Sequence, residues 1–416
     1  MELAEILHPG LGAIMDPILN LDKPEQPGPS THATDRYPTD RTNIPIMIGE
    51  IPPVPTPLMG AIRIRTPGGP EVIEYRLVAA PKPGPHEVLI RVVAASMNEF
   101  DSLMRKGVMS IPPGEIVYPG VDCSGVVAAV GPGATRWQLG DEVCAWCSGG
   151  AHAMHVVTHE DLCLPIPKGL TCLEAAALPE VSSTIILSIF TFLSIANNAP
   201  PSVEPLHVLI TGGGSGGGTL AIQYCKAQGC KVYCTTSTLE KTVKCEQLGA
   251  HLAINCNEED FVERIWKDTQ HMKEPGVDMV LDVVGASWTS ENLRILKREG
   301  RIFMIGMRKG KYSDIVLGPV CTKQCSIQPA SLWRQSTEER AEVMRLVQEN
   351  IWPLVEEKRM MPIIEPQNVF IMEKAVWAHR LVDSQAYFGK IMLVADPEKV
   401  AADNIAMPVE NRSPCD

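Results

Sequence analysis

The sequence predicts an α/β protein in which a doubly wound parallel sheet is joined to a second, strand-rich domain. Two patterns carry this prediction: an apolar segment that runs into six glycines broken by one serine, and an alternation of helix and strand patterns after it. The length of 416 residues also exceeds the size at which one hydrophobic core keeps growing, so we expect two domains.

The glycine-rich stretch L-H-V-L-I-T-G-G-G-S-G-G-G occupies residues 206–218. Glycines permit a tight turn, let backbone N–H groups approach a charged ligand and bring the next helix close to the strand. The N-terminus of that helix favours phosphate groups. A flexible linker is the alternative interpretation of a glycine run, but its apolar and amphipathic flanks favour a loop that binds pyrophosphate.

Helix and strand patterns alternate after this loop, which is typical of a parallel, doubly wound Rossmann sheet with ligands at the carboxyl ends of its strands. The predicted helices are 219–228, 239–248 and 258–270, and the predicted strands are 231–237, 251–256, 277–284 and 301–305.

The residues that end the second strand select the cofactor. Enzymes that use NAD usually place Asp or Glu there to bind the ribose hydroxyls, whereas this chain has Thr236, Ser237 and Thr238, followed by Lys241. Hydroxyl groups and a lysine can bind a 2′-phosphate, so the sequence favours NADPH over NADH. The alternative is that Lys241 is only a solvated helix residue.

Composition excludes several classes of protein. The net charge is -12 and no basic stripe alternates with aromatic residues, which argues against a dedicated nucleic-acid surface. The longest apolar run, near 185–195, is too short to cross a bilayer. Thirteen cysteines scattered through a large chain indicate reduced thiols and a cytoplasmic protein. A zinc or redox role for Cys144 and Cys147 is the less favoured interpretation of their C-x-x-C spacing.

Both ends of the chain differ from its middle. Residues 1–58 contain 11 of the 35 prolines and an acidic excess, which predicts a disordered extension. The polar residues 396–416 predict a disordered tail.

Short strands punctuated by Gly and Pro between residues 59 and about 180 predict a partly open β-barrel. This region contains A-S-M-N-E-F-D (95–101), P-G-V-D-C-S-G-V-V (119–127), L-G-D-E-V (139–143) and A-A-A-L-P-E (175–180). With L-D-V-V-G (281–285) and F-G-K-I-M-L-V (388–394), these motifs resemble the medium-chain dehydrogenase/reductase superfamily. The resemblance implies a GroES-like catalytic domain over 59–182, completed by about 345–395, and a Rossmann domain over 183–344.

Alcohol dehydrogenases of that superfamily hold a catalytic zinc through the cysteine of C-x-x-D and the histidine of G-H-E. Here Asn98 and Val121 occupy those positions, and the four-cysteine lobe for structural zinc is missing. No metal is therefore expected, and the chain is similar to the zinc-free NADPH:quinone oxidoreductases, which include the zeta-crystallins. Met109 and Cys256 stand where that branch usually has tyrosines.

The resemblance also implies roles for individual residues. Asn98 and Asp101 would sit beside the nicotinamide, and His152 is a candidate proton donor; turn-forming or packing roles are the alternatives for all three. The implied cofactor-binding residues are Thr184, Gly213, Ser215, Gly216, Gly217, Gly218, Ser237, Thr238, Lys241, Val284, Gly306, Arg334 and Lys390.

We therefore expect an NADPH-dependent oxidoreductase that transfers hydride to quinones or similar acceptors, as a homodimer or homotetramer. Two alternatives remain open from the sequence: reduction of an activated C=C bond in enones or enoyl thioesters, and a weakly catalytic NADPH-binding protein with a structural or regulatory role.

Overall fold

The computed structural model describes residues 57–108, 118–197, 205–310 and 312–403. Residues 1–56 of the predicted N-terminal extension lie outside these ranges, and so does Met109. Within the described residues, no helix has the length and apolar character that a membrane span requires.

A six-stranded parallel sheet forms the first layer, in the strand order β10-β9-β8-β11-β12-β13. Its strands are β8 (His207–Ile210), β9 (Lys231–Thr236), β10 (Leu252–Asn255), β11 (Val277–Asp282), β12 (Leu296–Met304) and β13 (Ser326–Pro329). The order reverses between β8 and β11, and ligands bind at such a switch point in doubly wound folds. The predicted Rossmann sheet is thus confirmed.

Helices cover the two faces of this sheet and bury its apolar side chains. They are α3 (Pro179–Ile185), α4 (Thr191–Asn197), α5 (Gly216–Ala227), α6 (Leu239–Leu248), α7 (Phe261–Thr269), α8 (Thr289–Ile295), α9 (Gly318–Lys323), α10 (Thr337–Asn350) and α11 (Trp352–Glu356), with a π-helical segment at Ile186–Phe190 between α3 and α4. Helix α6 has its predicted bounds, whereas α5 begins three residues earlier than predicted, because Ser215 caps it.

Strand β12 is longer than the predicted 301–305 because its first residue, Leu296, pairs with Val277 before the register shifts. Glu299 takes a positive φ of 61° there, which is consistent with a bulge between the two paired regions.

The second sheet has seven strands in the order β14-β15-β3-β4-β5-β7, with β6 paired to β3. Its strands are β3 (Glu87–Met97), β4 (Asp122–Val130), β5 (Glu142–Trp146), β6 (His155–His159), β7 (Cys163–Pro165), β14 (Val369–Ile371) and β15 (Ile391–Val394), and the hairpin β1 (Leu58–Ile64) with β2 (Ile73–Ala79) lies beside it. Residues from both ends of the described chain therefore build one sheet.

Four helices border this second sheet: α1 (Glu99–Arg105), α2 (Cys172–Ala175), α12 (Ala375–Ser384) and α13 (Pro397–Ala402). Helix α13 shows that the prediction of a disordered tail from residue 396 is wrong at its start, since the side chain of Val400 is fully buried. Residues 404–416 lie outside the described part.

All cysteines of the described residues are free, and most are buried. Within the described residues, no three His, Cys, Asp or Glu side chains converge as a metal site, around Cys144 and Cys147 or elsewhere. The nearest partner of Cys147 is Cys123, at 3.9 Å between the sulfur atoms.

Candidate functional site

The glycine-rich loop connects β8 to α5 at the switch point. Ser215 caps α5, because its Oγ accepts a hydrogen bond from the N–H of Gly218 (3.0 Å) and donates one to the carbonyl of Gly212 (2.8 Å). Gly212 has a φ of +72°, which favours glycine. A Cβ on Gly218 would collide with the Gly212 carbonyl, so the turn requires glycine at this position as well.

A cavity of about 500 Å³ lies between the two sheets, beside this loop. Its wall is mainly apolar, with a few polar groups, as is typical of sites for organic ligands. Of the predicted site residues, Asn98, Thr184, Ser215, Gly216, Gly217, Gly306 and Lys390 line it.

Lys390 joins the two sheets at the floor of the cavity. Its side chain is 3% exposed, and its Nζ donates to Asn98 Oδ1 (2.8 Å) and lies 3.9 Å from Asp122 Oδ2. The preceding residue, Gly389, donates its N–H to the carbonyl of Gly214 in the glycine-rich loop (3.0 Å). One buried ammonium group thus lies between the glycine-rich loop and the polar residues of the second sheet.

Asp122 is the acidic partner of this ammonium group. Ser96 Oγ (2.6 Å) and Asn98 Nδ2 (3.1 Å) both donate to its Oδ1. Burial raises the pKa of Asp122, while the charge of Lys390 and the Ser96 hydrogen bond act in the opposite direction.

A second carboxyl group, that of Glu180, lines the cavity at the start of α3. The hydroxyl of Thr184 donates to Glu180 Oε1 at 3.3 Å. Burial raises the pKa of Glu180 to about 7, although the charge of Lys390 lowers it. Two carboxyl groups thus share the charge of Lys390: that of Glu180, which lines the cavity, and that of Asp122, which does not.

Three aromatic side chains, Phe100, Trp146 and Trp333, form another part of the cavity wall. The ring centres of Phe100 and Trp333 are 4.2 Å apart in an edge-to-face arrangement, and those of Trp146 and Trp333 are 6.0 Å apart. Such a wall suits a flat, apolar ligand.

An ion pair crosses the cavity between the loop after β12 and α1. Arg308 Nη2 lies 2.8 Å from Glu99 Oε2, and both residues line the cavity together with Tyr387. This pair ties the Rossmann sheet to the second sheet at the cavity wall.

The predicted 2′-phosphate residues lie at the end of β9 and do not line the cavity. Ser237 is partly exposed and Thr238 is exposed; Thr238 caps α6 by accepting a hydrogen bond from the N–H of Lys241 (3.3 Å). Lys241 Nζ donates to the carbonyl of Gln385 (2.6 Å), and burial lowers its pKa. The three residues lie together at the start of α6, outside the cavity wall, and their role in binding a 2′-phosphate stays a prediction.

Asp101 and His152 are not in the cavity wall, and both side chains are fully buried. Asp101 accepts hydrogen bonds from the N–H groups of Asn98 (2.8 Å) and Gly120 (2.7 Å), so it fixes the start of α1. His152 Nε2 lies 3.1 Å from the carbonyl of Ser96. Neither side chain borders the cavity, and both lie within hydrogen-bond distance of backbone groups.

Four other predicted residues also lie outside the cavity wall. Arg334 is exposed, and Val284 is buried while its neighbour Val283 lines the cavity. Gly213 and Gly218 are required by close packing: a Cβ on Gly213 would press against Cys234, and one on Gly218 against Gly212.

Sequence reasoning missed the two acids and the aromatic wall. Glu180 and Asp122 belong to the motifs A-A-A-L-P-E and P-G-V-D, where a carboxylate interrupts an apolar run. That interruption was an available signal, since buried carboxylates are rare without a partner. The approach of Phe100, Trp146 and Trp333 depends on contacts between distant segments, and no local pattern indicates it.

Comparison with known proteins agrees with this architecture. Residues 84–168 match the family model described as alcohol dehydrogenase GroES-like domain, and residues 216–349 match the one described as zinc-binding dehydrogenase. The quinone oxidoreductase of Sus scrofa is 30% identical over 343 residues, which cover 81% of this chain and 98% of that protein. The chain belongs to the quinone oxidoreductase branch of the medium-chain dehydrogenase/reductase superfamily.

Solved structures of this superfamily have the same fold. The quinone oxidoreductase of Thermus thermophilus, whose structure was also determined as a complex with NADPH, is 27% identical with a TM-score of 0.65, over 81% of this chain and 100% of that one. An NAD-dependent alcohol dehydrogenase is 29% identical with a TM-score of 0.68, over 81% and 99%.

Two substitutions in α5 test the turn geometry. Gly218→Ala places a methyl group against the fixed Gly212 carbonyl and should lower the melting temperature by several degrees, equivalent to about 1–3 kcal/mol. Gly217→Ala meets no atom within 4 Å and should leave the melting temperature unchanged or raise it, since Ala favours helix. Differential scanning calorimetry measures both, and equal effects would contradict the packing argument.

Proposed function

We propose that this chain is a zinc-independent, NADPH-dependent oxidoreductase that reduces quinones. The observation that carries the proposal is the cavity at the switch point, which combines a glycine-rich helix N-terminus, a buried lysine and an aromatic wall. When bound, NADPH supplies a hydride from its nicotinamide ring.

The residues present fit this cofactor. The cavity is lined at the N-terminus of α5 by Ser215, Gly216 and Gly217, among which only Ser215 has a side chain, a single hydroxymethyl group. The N-terminus of this 12-residue helix favours a pyrophosphate. Lys241 adds a cation for the 2′-phosphate. Its ammonium group has three N–H donors, one of which is used by Gln385, so two remain for a ligand.

The chain's contribution to catalysis is the placement of two flat reactants. Phe100, Trp146 and Trp333 offer edges and faces against which a quinone ring can pack. The Asn98 amide is held by Lys390 and Asp122, which fixes its orientation at the cavity floor. Zinc independence is supported by Asn98 and Val121, since an amide and an alkyl group replace two ligand types that zinc prefers.

The test of this function is the loss of NADPH absorbance when purified protein meets ortho-quinones, para-quinones and small enones. We expect oxidation that depends on a quinone and persists in the presence of a zinc chelator. Preference for enones would replace the proposal with double-bond reduction, and tight NADPH binding without turnover would replace it with a binding protein.

Cofactor choice is tested at Lys241. Lys241→Ala removes a charge-assisted contact to the 2′-phosphate and should raise the dissociation constant of NADPH by about tenfold or more, with little change for NADH. Lys244→Ala is the matched control on the same helix, because Lys244 pairs with Glu240 and Glu365. Fluorescence titration with both nucleotides measures the effect, and unchanged selectivity would exclude the phosphate role.

We also propose that two copies assemble through β13, the edge strand of the six-stranded sheet. An edge strand presents unpaired backbone groups, and Ile327 in β13 exposes 38% of its surface. The free cysteines support a reducing compartment, and the cytoplasm is the one we propose.

Light scattering tests the assembly. The wild type should have about twice the chain mass of 45.3 kDa, and Ile327→Lys should yield monomers because it places a charge in the interface. Leu139→Lys is the control, because Leu139 is 69% exposed and lies in a loop of the second sheet. This variant should stay dimeric. A monomeric wild type would refute the proposal.

A further inference from the structure

The reduction of a quinone needs a proton as well as a hydride, and His152, the proton donor that the sequence suggested, does not reach the cavity. Among the described residues that line the cavity, the acidic or basic side chains are those of Glu99, Glu180, Arg308, Tyr387 and Lys390. Glu99 is paired with Arg308 at 2.8 Å, so its charge is satisfied.

Charge balance distinguishes Glu180 from Asp122. Both carboxyl groups share one cation, Lys390, in a poorly solvated space, so ionisation of both would leave an uncompensated negative charge. Asp122 Oδ1 accepts two hydrogen bonds, from Ser96 and Asn98, which favour its charged form. Glu180 has one longer hydrogen bond, from Thr184 at 3.3 Å. Asp122 is therefore the better site for the charge and Glu180 the better site for the proton.

We propose that Glu180 is the general acid that protonates the reduced acceptor. It lines the same cavity as Asn98, Trp146 and the glycine-rich loop, and it is partly exposed. This inference rests on the proposed function, because it assigns a role within the same reaction.

The acceptor receives a hydride from NADPH, and one acceptor oxygen forms an O–H bond with the proton of Glu180. The O–H bond of Glu180 breaks and its electron pair stays on the carboxylate, beside Lys390. A proton from water then restores the acid, so one quinone, one NADPH and one proton become one hydroquinone and one NADP⁺.

The groups that face Glu180 set the pH range in which it can act. Lys390 and the Thr184 hydroxyl favour its charged form, whereas burial and the carboxylates of Asp122 and Asp101 favour the neutral form. Because the acid form donates the proton, kcat should be high at low pH and fall as pH rises through about 7.

Glu180→Gln keeps the size of the side chain but removes its proton. We expect kcat to fall on the order of a hundredfold and the pH dependence near neutrality to disappear, while the dissociation constant of NADPH stays near the wild-type value. Thr184→Val removes a hydrogen bond that favours the charged form, so the falling limb of its profile should move to higher pH. Glu263→Gln, on the exposed side of α7, is the control and should match the wild type.

Infrared spectroscopy of the ligand-free protein gives a readout besides activity. A carboxylic-acid carbonyl band should vanish between about pH 6 and pH 8 in the wild type and be missing in Glu180→Gln. If Glu180→Gln keeps the turnover rate and the pH profile of the wild type, the inference about Glu180 is overturned and the proposed function is not. A wild type without quinone turnover would overturn the proposed function, and the inference with it.

Discussion

The contact of Lys390 with the residues of the second sheet is the constraint on which the site depends. Its ammonium group is almost fully buried, and such a charge is costly unless it is paired and hydrogen-bonded. Asn98 and Asp122 meet that requirement, and the backbone of Gly389 holds the glycine-rich loop at the same point. One short segment near the C-terminal end of the described chain, Gly389 and Lys390, therefore positions both the glycine-rich loop and the cavity floor.

This arrangement explains why several polar residues near the cavity are structural. Asp101 fixes the start of α1 by accepting hydrogen bonds from two backbone N–H groups. Asn98 lies at that helix start and accepts a hydrogen bond from Lys390. The Arg308–Glu99 pair ties the loop after β12 to the same helix. Helix α1 and its N-cap residue Asn98 thus receive contacts from both parts of the site, and Glu99, Phe100 and Leu103 of this helix line the cavity.

The sequence was sufficient to predict the alternation of helix and strand after residue 206, because that pattern depends on local periodicity and turn residues. Motif positions also led to Asn98, Thr184 and Lys390, which line the cavity and whose roles stay predictions. His152 lies in a bend before β6, where its buried side chain does not line the cavity, and no local pattern indicates that position. Glu180 and Trp333 were missed because their environment depends on segments far apart in the chain, and the helix Pro397–Ala402 because only Val400 anchors it by burial.

The burial of the cysteines has a consequence for the proposed reduction of quinones. Quinones are electrophiles that alkylate thiolates, and a buried, protonated thiol is a poor nucleophile. Burial raises the pKa of Cys172 and of Cys256 to about 11, and the pKa of Cys163 well above its usual range. Among the described cysteines, Cys321 is the exposed one. The fold thereby protects most of its own thiols from the compounds that its cavity would admit.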